Sequence, residues 1–183
     1  MRLFKRIINL LLFPAKEWQE IAVENHSRKT VYLKFMAPLL CATSISVMAG
    51  ACLYLFHELR SVVFWVATLC SSFSAGCFLS AFFVTEIMGN ELGKREHRVD
   101  FALMAYSLGA AFIVVIIVFL SPFREFVVLA LYSCYLYWQG IPHMVRIEGQ
   151  KQIKYALVSL FVSVLIFSLV FFLFGKIFSA LLF

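Results

Sequence analysis

Five apolar runs separated by short polar connections organise this chain. Leu33 to Phe56, Val62 to Met88, Phe101 to Leu120, Phe126 to Val145 and Tyr155 to Phe174 each predict a transmembrane helix. About 20 residues rising ~1.5 Å each are enough to cross a hydrocarbon core of roughly 30 Å. The second run is longer than that, which predicts a tilt or a protruding end. Ahead of these runs, Arg2, Lys5, Arg6 and Asn9 form one polar stripe against Leu3, Phe4, Ile7, Ile8, Leu11 and Leu12. That is the pattern of an amphipathic helix lying in a membrane interface. Pro14 then starts a second helix, with Trp18, Ile21 and Ala22 opposite Glu17, Glu20 and Glu24. The fold class is all-α: an amphipathic N-terminal helical segment, residues 1–32, followed by a five-helix transmembrane domain, residues 33–183.

Charge fixes a direction for these helices. Thirteen of the 16 Lys and Arg residues fall on one side of the predicted crossings, seven of them before the first span is fully entered. Lys94, Arg95 and Arg98 follow in the second loop, and Arg146, Lys151 and Lys154 in the fourth. Only Arg60, Arg124 and Lys176 lie on the other side. The positive-inside rule therefore places the N-terminus in the cytoplasm and the C-terminus outside, in a multi-pass protein of a cell membrane. Arg2, Lys5, Arg6 and Trp18 become the expected anchors at headgroup depth. With 63% hydrophobic and 14% charged residues, the basic excess punctuates apolar runs instead of forming a nucleic-acid surface, and it points to phospholipid headgroups. A secretory signal would need a small-residue cleavage site after Phe13, where Lys16-Glu17 stands instead, so the N-terminus is read as retained.

Chemistry is sparse. The fourth run carries Tyr132, Tyr135, Gln139 and His143 on one helical stripe, together with Trp138, Gly140 and Pro142. Pro142 has no N–H, so the Trp138 carbonyl loses its helical partner, and Gly140 allows a close approach to the kink. Two readings follow: a small polar cavity at this kink, or a plain proline bend with interfacial aromatics. Glu86, inside the end of the second run, is the other candidate, because ionisable groups in spans are costly and mark function by default. A surface ion pair toward Lys94 or Arg95 is its plainer reading, and the connection Gly89 to Asp100 reads as solvated loop. His97 and His143 lack partners at metal-ligand spacing, and the five cysteines form neither a CxxC pair nor an even set. No metal, cofactor or catalytic motif is indicated. Ala42, Ser46 and Gly50, Ser72, Gly76 and Ser80, Ala105 and Gly109, and Ser159 and Ser163 predict the faces on which helices touch.

Leu12-Phe-Pro-Ala-Lys-Glu-Trp18, Ala105-Tyr106-Ser107 and Tyr132-x-x-Tyr-Leu-Tyr-Trp-Gln-Gly140 together resemble the Yip (Ypt-interacting protein) domain family, particularly its prokaryotic branch. The resemblance covers almost the whole chain and implies a multi-pass membrane protein with a cytoplasmic N-terminus, in a prokaryotic inner membrane. Eukaryotic members are implicated in binding small GTPases and in vesicle trafficking. They typically carry Asp-Leu-Tyr-Gly-Pro where this chain has Leu-Leu-Phe-Pro14, and Gly-Tyr where it has Ala105-Tyr106. Two functions are expected on these grounds. One is a non-enzymatic scaffold that docks a protein partner at its cytoplasmic face or organises membrane lipid. The other is a homo-oligomeric channel or transporter for a small solute or ion, using Glu86, Gln139 and His143.

Overall fold

The computed structural model describes residues 3–24, 26–52, 59–92, 96–120 and 124–182. Every element among them is helical: α1 (Leu3–Leu12), α2 (Pro14–Glu24), α3 (Arg28–Val31), α4 (Ala37–Gly50), α5 (Leu59–Leu92), α6 (His97–Leu120), α7 (Tyr132–Met144) and α8 (Gln150–Leu182). A π-helical stretch, Tyr32–Met36, joins α3 to α4, and a 3₁₀ stretch, Arg124–Leu131, leads into α7. Pro14 takes the first position of α2, where its missing N–H costs nothing. Ser27 caps α3 by accepting from the Thr30 N–H at 3.3 Å.

Among the described residues four helices are long and apolar enough to cross a membrane: Arg28–Gly50, Arg60–Gly89, His97–Leu120 and Gln150–Leu181. The fourth predicted run is not among them, because its chain is divided between the 3₁₀ stretch and the 13-residue α7. Helix ends also shift relative to the hydropathy pattern. α5 continues to Leu92 and α6 starts at His97, so the polar connection is shorter than expected and Asp100 belongs to a helix. α8 likewise begins at Gln150 and runs past Lys176.

α6 is the centre of the molecule, touching α1, α3, α4, α5, α7 and the 3₁₀ stretch, while α5 and α8 pair extensively along their length. Small residues sit at the contacts they predicted. Adding a Cβ to Gly50 would overlap the Phe119 carbonyl oxygen, so α4 and α6 meet backbone to backbone. Ser72, Gly76 and Ser80 of α5 and Ser159 and Ser163 of α8 are buried, and Gly76 leaves room for the Phe167 ring. This is how helices associate where water exclusion supplies little drive.

Candidate functional site

α1 and α2 are seated on α6 and α7 by a buried polar network. The Arg6 guanidinium donates from Nε to Glu17 at 3.0 Å, from Nη2 to Glu24 at 2.7 Å and from Nη1 to the Tyr106 hydroxyl at 3.3 Å. Its carbon also lies 5.6 Å from the Tyr106 ring centroid, within cation–π range. Asn9 Nδ2 donates to the second Glu17 oxygen at 2.9 Å. Glu17 is only 1% exposed, so its charge is tolerable because both oxygens are bonded and a cation stands beside it. Burial by itself would lower the Arg6 pKa, but its bonds to Glu24 and Tyr106 overcome that and raise it above the ordinary value. The hydrogen bond from Arg6 holds the Glu24 carboxyl below the usual range, against the opposing effect of burial.

Trp18 and Arg6 therefore require a correction. The sequence assigns both to the headgroup layer, yet Trp18 is 0% exposed and Arg6 7%. The cause is Gly140: its bare Cα leaves a slot on α7 that the Trp18 indole fills, so that a Cβ there would lie 2.8 Å from the ring. Trp18 also meets Tyr106 edge to face at 6.3 Å. Lys5 does stay exposed, and Arg2 lies outside the described residues. On the outer side of α1, Phe4, Ile8 and Leu12 are exposed as an apolar stripe.

The stripe on α7 has several partners in place of a single cavity. The Tyr132 hydroxyl donates to the Leu11 carbonyl at 2.8 Å and so ties the end of α1 to α7. Gln139 donates to the Tyr135 hydroxyl at 3.4 Å, and that pair is exposed. Pro142 stands inside the helix, and the Trp138 carbonyl that it deprives of a partner accepts instead from Gln152 Nε2 of α8 at 3.4 Å. His143 faces elsewhere, into a cavity of about 180 Å³ that it shares with His26, Arg98, Tyr106 and Arg146.

Glu86 is exposed and lies 3.4 Å from His97 Nε2, while Lys94 and Arg95, the partners expected from the sequence, lie outside the described residues. The neighbouring Thr85 points inward and marks the group that the pattern missed. Its hydroxyl donates to Asp100 Oδ2 at 2.6 Å, and the Tyr155 hydroxyl donates to Asp100 Oδ1 at 2.7 Å. Tyr137 donates to the Tyr155 oxygen at 3.4 Å. Asp100 is 1% exposed, so this carboxyl joins α5, α6 and α8 at a buried junction. Its sequence signal was its place directly before an unbroken apolar run, where an acidic residue suits the first turn of a helix. Among the described residues no three His, Cys, Asp or Glu side chains are grouped to hold a metal ion.

The model of the Yip1 domain matches residues 8–178. The chain belongs to the Yip1 family. Neither the curated proteins nor the solved structures yield a match. The match begins inside α1 and runs into the last turns of α8, so the Yip1 unit contains the docked N-terminal helices as well as the membrane helices.

Proposed function

We propose that this Yip1-family protein is a non-enzymatic membrane scaffold whose α1 and α2, with the adjoining basic connections, present a docking surface for a protein partner at the cytoplasmic face. The observation that carries this reading is the buried Arg6–Glu17–Tyr106 network, which fixes α1 and α2 to the bundle and makes them a surface of set shape. Preorganised surfaces bind with less ordering cost than tethered ones. Glu86, Gln139 and His143 have separate neighbours, which favours a scaffold over a conduit that would need them on one path.

The proposed orientation has five crossings in a prokaryotic cell membrane, N-terminus cytoplasmic and C-terminus outside. Eight 3₁₀ residues at ~2.0 Å and 13 α-helical ones at ~1.5 Å supply about 35 Å for the fourth crossing, enough for the roughly 30 Å core. The Lys and Arg asymmetry supports the same count. A reporter fused after Phe183 is expected to read the outer compartment, and a cytoplasmic reading would reduce the crossings to four.

The docking surface is tested on exposed positions, because removing α1 and α2 would strip buried residues from the bundle. Glu20→Lys with Val23→Glu alters the outer face of α2, where both residues are exposed, and leaves unfolding unchanged within about 0.5 kcal/mol. Crosslinking and affinity capture from native membranes should recover one stoichiometric protein with the native chain and lose it with the variant. Capture that ignores the substitutions, or recovery of lipid alone, would refute docking at this face.

A further inference from the structure

The cavity beside His143 is lined by four basic residues and the neutral Tyr106 among its polar groups. Arg98 from α6, Arg146 from the link after α7, His143 from α7 and His26 from the link after α2 all line it, above apolar Val99 and Ala102. Among the described residues no carboxylate lines it. Glu24 approaches His26 Nδ1 at 3.3 Å and Glu96 pairs with Arg98, each from outside the cavity. Arg146 has no carboxylate partner among the described residues, and its backbone has φ 60°. A left-handed conformation is uncommon for a residue other than Gly, and it is held here where Arg146 lines the cavity. Three segments distant in sequence, around His26, Arg98 and His143 to Arg146, thus bring two arginines and two histidines to one space.

We propose that this cavity binds a phosphate group carrying net negative charge, with Arg98 and Arg146 as the principal ligands and the imidazole N–H groups of His26 and His143 as further donors. Arg is suited to this task because its planar fork gives two parallel charge-assisted bonds to an oxyanion. The volume of about 180 Å³ is below the roughly 300–1,000 Å³ of sites that enclose whole drug-sized molecules, so it fits an anionic headgroup or small phosphate ester. The cavity lies near the ends of α6 and α7, beside Arg28 and Lys29 on the neighbouring surface that Arg98 also lines, a setting in which basic pockets between membrane helices hold acidic lipid headgroups. The same chemistry would accept the phosphate of an acidic phospholipid or of a free phosphorylated solute. The inference stands whether or not a protein docks on α2.

Native mass spectrometry of the delipidated full chain in detergent separates these sources. The probes are dioleoyl phosphatidic acid, dioleoyl phosphatidylcholine, glycerol 3-phosphate and inorganic phosphate. Retention of phosphatidic acid over phosphatidylcholine identifies the lipid source, whereas equal retention of glycerol phosphate or inorganic phosphate identifies a soluble one. In either case Arg98→Gln with Arg146→Gln should weaken binding at least about tenfold, the loss expected when charge-assisted bonds to the phosphate are removed. Lys16→Gln with Lys176→Gln removes the same charge from exposed positions away from the cavity and should leave binding within about twofold. Equal loss in both variants, retention in the arginine variant, or absence of binding by all four probes would overturn the proposal.

Discussion

α6 and α8 are both apolar enough to cross a bilayer, yet half of the apolar window of α6 is buried in protein and only 17% of that of α8. The hydropathy of α8 is directed outward. Leu157, Phe161, Val164, Leu165, Leu169 and Phe172 are all exposed on it, and its Lys176 sits over the Phe172 ring at the surface. α6 turns its apolar residues inward and buries Asp100, Tyr106 and Ser107 among them. A polar residue therefore means different things on the two helices. On α6 Asp100 and Tyr106 bond to neighbouring elements, and on α8 beyond Ser163 polar residues reach the surface.

The largest expected effect lies where α6 holds the N-terminal helices. Arg6→Ala leaves Glu17 buried without its cation, which should cost about 3–5 kcal/mol, read as thermal unfolding in detergent. A loss below about 1 kcal/mol, the range of exposed pairs, would show that the network does not fasten α1 and α2. Next in size is a pair of glycines. Gly50→Ala must push its Cβ into the Phe119 carbonyl of α6, where backbone cannot yield, and should cost about 1–3 kcal/mol or more. Gly175→Ala on α8 meets nothing within 4 Å and should be neutral or gain up to about 1 kcal/mol from helix propensity. Equal losses at both positions would erase the contrast between central and outer helices.

The smallest effect is a pH dependence. Glu24 has a folded-state pKa below its unfolded value, so its contribution is present above the ordinary carboxylate range and is lost as pH falls through the depressed value. The carboxylate is about one-third exposed, which screens the pair and keeps the contribution small. The stability gap between the native chain and Glu24→Gln should be open at neutral pH and close on acidification. A gap that stays constant or widens in acid would remove Glu24 from the network.

Hydropathy made the membrane helices legible because lipid exposure and helical period leave a local mark on every turn. Gly50, Gly76 and Gly109 were readable for the same reason, as gaps in bulky surroundings. Trp18 was not, since what covers it is a slot at Gly140 on a helix far along the chain, and a Trp at a membrane boundary looks the same locally with or without that slot. Arg6 and Glu17 were each visible as polar stripes, but only the packing of α1 on α2 turns the two stripes toward one another. Glu86 and Asp100 were exchanged in importance. Depth in an apolar run favoured Glu86, whereas the helical period turns Thr85 inward and Glu86 out, and an earlier start of α6 brings Asp100 inside.

Arg6 and Tyr106 stand 100 positions apart, and this spacing sets an order of events during synthesis. The first two helices leave the ribosome well before the partners that will cover them, so Arg6, Glu17 and Trp18 must wait while α4 to α7 are made. Closure of long-range contacts of this kind is slow and comes late. The part of the chain that is made first is thus finished only after α7 has been made, and a nascent chain stalled before α7 should still offer that end to a protease.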